Sequence, residues 1–170
     1  MSAEAASQRG TDRIIHAAAR LRCGAHRAFE MFTVSRALQS WLAPVAEVAP
    51  VLGGKYELFW EPDDRENNST IGCRITALET DRLLSFDWKG PRQFKHFMNT
   101  ADPLTHVVVF FFAGDHNGSE EWTDIHLIHS GWRSADEWEE ARQWFEAAWR
   151  GAFAELSNQV NGEGRSLDEA

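Results

Sequence analysis

Alternation of apolar and polar residues dominates the middle of the chain and predicts an antiparallel sheet. From Gly53 the period is two, and Tyr56, Leu58 and Trp60 share one face of the first strand in this region. The same alternation predicts four further strands, near residues 71–77, 84–88, 106–112 and 121–130. A short apolar segment at residues 13–21 adds a sixth strand at the start of the chain.

Apolar residues at three- and four-residue intervals predict three helices. Two are short and follow the first strand, at residues 25–32 and at residues 35–42 with Ser35 as N-cap. The third begins at a capping-box pattern, Ser134 with Glu137, and continues for roughly 25 residues. Its apolar face consists of Trp138, Phe145, Trp149, Phe153, Leu156 and Val160, with Ala141, Ala148 and Ala152 filling the same side.

These elements predict one α+β domain. A long helix with such a bulky apolar face needs a wide apolar partner, which a curved antiparallel sheet of about six strands supplies. We therefore expect the sheet to surround the C-terminal helix, with the two short helices after the first strand. The domain is predicted over residues 12–160, and small polar residues predict disordered segments at 1–11 and 161–170.

Charge and cysteine content narrow the classes of function. The net charge of −9 comes from 17 basic and 26 acidic residues, which argues against nucleic acid and anionic membranes as partners. Cys23 and Cys73 match no metal-binding spacing, so they are predicted to be free buried thiols. With no apolar signal segment at the start, these features predict a cytoplasmic protein.

Several short motifs, taken in order, carry a family resemblance. They are Ala28–Phe29, Trp41 before Pro44, Gly53–Gly54–Lys55–Tyr56, Gly72, Arg82–Leu83 continuing to Trp88, and His129–Ser130–Gly131–Trp132. In this order they resemble the START-like (SRPBCC) superfamily, and within it the homologues of the Hsp90 ATPase activator. The resemblance implies the helix-grip fold, also called birch-pollen-allergen-like. It also implies an apolar cavity between sheet and helix, which members use for lipids, sterols or aromatic substrates.

The main functional hypothesis is a protein that binds a small apolar or lipid-like ligand without a cofactor. Eight Trp and eleven Phe against one Tyr predict an interior lined by apolar rings, either around a cavity or in a solid core. The residues predicted to contact the ligand are Phe29, Phe32, Trp41, Tyr56, Leu58, Trp60, Phe86, Trp88, Ile125, Leu127, His129, Arg142, Phe145 and Trp149. In the long connection at 89–103, Phe94, Phe97 and Met98 either form a lid or rest on the sheet edge.

The segment DIHLIHSGW, residues 124–132, concentrates polar side chains. On a strand His126 and His129 point to opposite faces, so they cannot act as a pair. His129 faces the helix, as a ligand contact or as a core histidine bonded to backbone. A metal site at Asp124 and His126 would need His106 as third ligand, and Ser130 has no base within reach. We predict neither a metal nor a catalytic residue here.

Two other functions stay open from the sequence. One is a chaperone-associated or stress-response interaction protein, which the family resemblance implies. The other is a cyclase- or hydrolase-type enzyme on an aromatic or polyketide substrate, with polar groups drawn from His129, Glu121, Asp87 and Arg142. Arg142 interrupts the apolar face of the long helix, so it either pairs with a carboxylate or extends its charged end to solvent.

The strand at 106–112 is apolar on both faces, and this predicts a contact surface. Val107, Val109 and Phe111 should meet the long helix. The opposite face, Val108, Phe110 and Phe112, would then lie on the convex side of the sheet, where a homodimer or another partner could cover it.

Overall fold

This computed structural model describes residues 13–114 and 120–168, with side chains to residue 162. These residues contain seven strands and four helices. The segment predicted to be disordered at 1–11 lies outside these residues. In chain order the elements are β1 (Ile15–Leu21), α1 (Ala25–Thr33), α2 (Ser35–Leu38), β2 (Val45–Val48), β3 (Tyr56–Phe59), β4 (Ile75–Glu79), β5 (Leu83–Trp88), α3 (Lys95–Met98), β6 (Thr105–Ala113), β7 (Thr123–Ser130) and α4 (Asp136–Asp168).

The strands form the predicted curved antiparallel sheet. Five of them pair in the order β1-β7-β6-β5-β4, and β2 pairs with β3 as a hairpin. Backbone bonds from Tyr56 N to Cys73 O (2.8 Å) and from Gly53 N to Ile75 O (2.9 Å) join the hairpin to the β4 edge. The sheet and the long C-terminal helix together confirm the predicted α+β, helix-grip class of fold.

Alternation along β6 and β7 separates the two faces of the sheet, as predicted. Val107 and Val109 are fully buried, and they lie opposite His129 and Leu127 of β7, which are also fully buried. Phe112, on the other face, is 56% exposed. The concave face therefore provides the core, and the convex face stays accessible.

Gly131 makes the turn from β7 toward α4. Its φ of +92° lies in the left-handed region, and a Cβ there would be 3.2 Å from the Thr105 Cα. The turn directs the next residue, Trp132, into the core, where it is 1% exposed. The Trp132 Nε1–H donates to the His129 carbonyl at 3.1 Å. The glycine therefore permits the sharp bend between the last strand and the long helix.

Local details near the first helices differ from the prediction. The second helix ends at Leu38 rather than at residue 42, and Ser35 is its first residue rather than its N-cap. The Ser35 hydroxyl instead accepts a bond from Val48 N at 3.1 Å, which ties the helix to β2. Strand β2 itself is absent from the prediction, because four residues between two prolines give too short a pattern to recognise.

The later elements also shift in their bounds. Strand β4 begins at Ile75 rather than near residue 71, and the short helix α3 occupies part of the 89–103 connection. Helix α4 has 33 residues and continues past Asn161, where the sequence pattern ended it. Within the described residues, no helix has the combination of length and apolar character needed to cross a membrane.

Candidate ligand-binding site

A cavity of about 520 Å³ lies against the middle of α4. Its other walls are the segments that follow β3 and β5 and the end of the α2 region. Five of the chain's eight tryptophans line it, and we call it the tryptophan cavity. The full lining is Trp41, Leu42, Trp60, Glu61, Asn68, Ser69, Trp88, Lys89, Gly90, Pro91, Gln93, Trp144, Phe145, Ala148, Trp149, Gly151, Ala152 and Glu155.

Trp88, the last residue of β5, stands at the centre of the aromatic wall. Its ring centroid is 5.1 Å from that of Trp149, 6.0 Å from that of Trp60 and 6.5 Å from that of Phe145. Edge and tilted arrangements at these distances are favourable for aromatic pairs. The Trp88 side chain is only 3% exposed, so this wall belongs to the protein interior.

The mouth of the cavity carries exposed rings. Trp60 is 37% exposed and Trp144 is 42% exposed, although most of the other tryptophans with described burial are buried. The Trp60 ring is held in place, because its Nε1–H donates to the Leu42 carbonyl at 2.9 Å. Two large apolar rings beside an open cavity provide apolar surface that a bound molecule would remove from water.

Short side chains on α4 make the room for the cavity. Ala148, Gly151 and Ala152 lie one turn or less from Trp149, on the side of the helix that faces the cavity. A Cβ built at Gly151 would have no heavy atom within 4 Å. The helix therefore leaves free volume at these three positions, beside the positions that carry aromatic rings.

Most polar side chains at the cavity form hydrogen bonds within the protein. Glu61 accepts from Arg92 at 3.1 Å and from the Asn68 amide at 2.9 Å. Lys89 donates to the Ile71 carbonyl at 2.5 Å. These bonds fix the segments after β3 and β5 relative to each other, and they leave the rings as the main contact surface.

His129 lies beneath the cavity as a buried hydrogen-bonded group. Trp149 Nε1–H can only donate, so the His129 Nδ1 accepts this bond at 3.1 Å. The proton of the neutral ring is then on Nε2, which donates to Thr105 Oγ1 at 3.0 Å. Burial lowers the pKa of His129 to about 3, with a smaller contribution from His106. His129 is thus a neutral core histidine whose partners are side chains rather than backbone.

The predicted ligand contacts divide into three groups. Trp41, Trp60, Trp88, Phe145 and Trp149 line the tryptophan cavity. A second group is buried in the core outside it: Phe29, Phe32, Tyr56, Leu58, Phe86, Ile125, Leu127 and His129. Arg142 is partly buried on α4 outside the cavity lining, bonded to Glu139 at 2.7 Å and Glu146 at 3.3 Å.

Side chains considered for a metal or for catalysis are separated. Asp124 is paired with Arg20 at 2.8 Å, and His126 Nδ1 lies 2.9 Å from His16 Nε2. His106 bonds to Thr76 at 2.7 Å, opposite Ser130 rather than near His126. Among the described residues no three His, Cys, Asp or Glu side chains form a group that could hold a metal ion.

The remaining polar candidates lie apart from the cavity as well. Glu121 is exposed just before β7, and its carboxylate lies near Gly24 at the start of α1. Asp87 alternates with the buried Phe86 and Trp88, so it lies on the convex side, opposite His106. Neither residue lines the tryptophan cavity.

The residues proposed as a lid rest on the first half of α4. Phe94 contacts Trp144 with centroids 5.9 Å apart, Phe97 contacts Trp138 at 5.0 Å, and Met98 is fully buried. They lie beside the cavity rather than in its lining. A lid role for them stays a prediction.

Sequence reasoning missed several lining residues. Trp144 lies outside the apolar stripe of α4, and a tryptophan on the polar side of a helix is the signal that could have found it. Lys89, Gly90 and Gln93 come together only through the loop after β5, and no spacing pattern marks them.

The chain is similar to one protein family and to several solved structures. The model of the family described as Activator of Hsp90 ATPase homolog 1-like protein matches residues 22–161. A search of curated protein sequences gave no match. Among solved structures, a Bacillus halodurans protein is 17% identical, with a TM-score of 0.65, 89% of this chain covered and 99% of that one.

Two further similar structures are those of proteins named for an activity or an assembly. An HSP90 activator from Plasmodium falciparum is 18% identical, with a TM-score of 0.63, covering 88% of this chain and 96% of that one. The Aha1 dimer from Colwellia psychrerythraea is 13% identical, with a TM-score of 0.59, covering 87% and 96%. At these identities the likeness is one of fold.

The depressed pKa of His129 predicts sensitivity to acid. In the unfolded chain this residue binds a proton when the pH falls below its ordinary pKa of about 6.5. In the folded protein it binds the proton only when the pH approaches the lowered pKa. Stability is therefore lost as pH falls from about 6.5 toward 3, by up to about 1.4 kcal/mol per pH unit. We expect the free energy of unfolding, measured by urea denaturation, to drop by about 2 kcal/mol from this residue alone between pH 6.5 and 4.5.

His129→Gln tests this assignment, because an amide can accept from Trp149 and donate to Thr105 without titrating. The variant should lose less stability on acidification than the wild type. His26→Gln, at an exposed histidine, is the control and should not reduce the acid sensitivity. Parallel pH profiles for wild type and His129→Gln would contradict the assignment.

Proposed function

The chain belongs to the family of activator of Hsp90 ATPase homolog 1-like proteins, and on that premise we propose that it binds a small apolar ligand in the tryptophan cavity. The observation that carries the proposal is the wall of five tryptophans, with Trp60 and Trp144 exposed at its mouth. The resemblance to ligand-binding members of the superfamily agrees with it.

The size and chemistry of the cavity suit this role. About 520 Å³ falls within the range of pockets that hold small organic molecules, roughly 300 to 1,000 Å³. Each methylene group that leaves water on binding contributes about 0.8 kcal/mol, so a ring of naphthalene size would gain several kcal/mol from burial. Aromatic walls also favour flat molecules, which can stack or meet the rings edge-on.

An enzymatic role has less support. The polar candidates for catalysis, Glu121, Asp87 and Arg142, lie outside the cavity lining, and His129 is neutral and has both ring nitrogens bonded. A cytoplasmic location forms part of the proposal, supported by the free thiols Cys23 and Cys73.

Action on a chaperone is the second candidate function. Its support is the family match together with the fold likeness to the Plasmodium falciparum HSP90 activator. The convex face of the sheet offers a surface for such a partner, since Phe112 is 56% exposed there and stacks on Phe110 at 6.2 Å. An exposed aromatic pair is a common anchor in protein interfaces.

The same face also suits a homodimer, for which the Colwellia psychrerythraea dimer is a precedent among similar folds. Val108 and Phe110 are half-buried beside Phe112, so the three residues form a continuous apolar strip along β6. In a dimer with twofold symmetry this strip would meet its own copy.

Ligand binding can be tested by filling the cavity from α4. Isopropylnaphthalene is a suitable probe, measured by isothermal titration calorimetry. Gly151→Leu should weaken its binding at least about tenfold, because the new side chain occupies volume that the ring needs. Gly151→Ala is the matched control, since it adds only a Cβ into open space and improves helix propensity. Equal affinity in the wild type and both variants would remove the cavity as the binding site.

Chaperone action predicts an effect on nucleotide turnover. A purified Hsp90-type chaperone should hydrolyse ATP at least about twofold faster when the protein is added, if the protein favours the active conformation. Phe112→Asp should abolish the stimulation, and Val34→Asp, at another exposed apolar residue, should not. An unchanged rate with wild-type protein would rule this candidate out for the chaperone used.

If the protein is a dimer through this strip, its molar mass in solution should depend on Phe112. Light scattering at tens of micromolar should give twice the monomer mass for the wild type, and Phe112→Asp should give the monomer because it places charges in the apolar contact. A wild-type monomer at that concentration would argue against the dimer.

A further inference from the structure

The interior wall of the tryptophan cavity contains one buried polar group with no partner. Among the residues the structure describes, Trp88 Nε1 is the buried side-chain nitrogen or oxygen for which there is no hydrogen-bond acceptor. Buried donors are nearly always paired, because leaving one unpaired costs about 1 to 3 kcal/mol. The exception therefore calls for a functional explanation.

Three other tryptophans of the cavity have an acceptor for this nitrogen. Trp41 donates to the Met31 carbonyl at 2.9 Å, Trp60 to the Leu42 carbonyl at 2.9 Å, and Trp149 to His129 at 3.1 Å. Each of these bonds fixes a ring of the wall. Trp88 is as buried as Trp41 and Trp149 and packs against Trp60 and Trp149, yet its Nε1–H has no such bond.

We infer that the ligand of the tryptophan cavity is a flat apolar molecule with a neutral oxygen that accepts a hydrogen bond from Trp88 Nε1–H. The inference rests on the proposed ligand-binding function and specifies its chemistry. A ketone, ester or amide oxygen would satisfy the donor, and the rings around it would hold the apolar remainder.

The charges around the cavity favour a neutral acceptor over a carboxylate. Glu61 and Glu155 are both in the lining, and the protein as a whole has a net charge of −9. Lys89 is the basic residue among the lining, and its ammonium group is bonded to the Ile71 carbonyl. A carboxylate would lose its hydration in the cavity and would meet two carboxylates against a single ammonium group.

Three naphthalene probes of the same shape, substituted at the same ring position, separate these possibilities. Methyl naphthyl ketone has a neutral acceptor, isopropylnaphthalene has none, and naphthoate has a charged one. With wild-type protein we expect the ketone to bind about tenfold more tightly than isopropylnaphthalene, and more tightly than naphthoate, by calorimetry.

Substitution of the donor should remove the difference. Trp88→Phe keeps an aromatic ring without the N–H, so the ketone and isopropylnaphthalene should bind it with equal affinity. Trp138→Phe is the control, because this buried ring lies outside the cavity lining, and it should keep the preference. In the wild type, proton–nitrogen correlation NMR provides an independent measure, since the Trp88 indole N–H signal should move downfield with the ketone and not with isopropylnaphthalene.

The outcomes distinguish the two levels of the proposal. The ketone and isopropylnaphthalene could bind the wild type with equal affinity and shift the Trp88 indole N–H signal by the same amount. In that case the acceptor inference is wrong while ligand binding stands. Tighter binding of naphthoate than of the ketone would overturn the neutral chemistry. If none of the probes binds, the proposed function itself fails, and this inference with it.

Discussion

The structure depends on a single chain of buried hydrogen bonds that joins α4 to the sheet. Trp149 donates to His129, His129 donates to Thr105, and Thr105 donates to the Trp88 carbonyl at 3.4 Å. Each bond runs in one direction, so the chain exists only when His129 is neutral with its proton on Nε2. It fixes the rotation of the helix and, at its other end, the backbone of the residue that forms the cavity wall.

Once Trp149 is held in this way, helix geometry determines what faces the cavity. Gly151 and Ala152 follow Ala148 by three and four residues, so these three positions lie on one side of the helix, in the lining. The sequence pattern was interpreted to mean that Ala148 and Ala152 fill the apolar face of the helix. They line the cavity instead.

The periodicity of apolar residues was enough to predict most strands and helices, and the reason is physical. A strand that is half buried must alternate, so Val107 against Val108 could be assigned to opposite faces from the sequence alone. Strand β2 could not be predicted, and Ser35 was wrongly predicted to cap its helix, since the Ser35 hydroxyl accepts instead from Val48 N, a bond that no local pattern encodes. The face of each strand is a local property, whereas short edge elements are decided by tertiary contacts.

The candidate site was only partly predictable for the same reason. Alternation and helical spacing identified large apolar rings, but they could not tell a ring in solid core, such as Phe86, from one at a cavity, such as Trp88. Phe86 stacks on Tyr56 at 3.9 Å, whereas Trp88 borders a space that Ala148, Gly151 and Ala152 also line. A cavity is therefore a property of pairs of elements, and its sequence signature is the small residue on α4 rather than the tryptophan it faces. This makes Gly151, an unfavourable residue in the middle of a helix, the most informative position of the site.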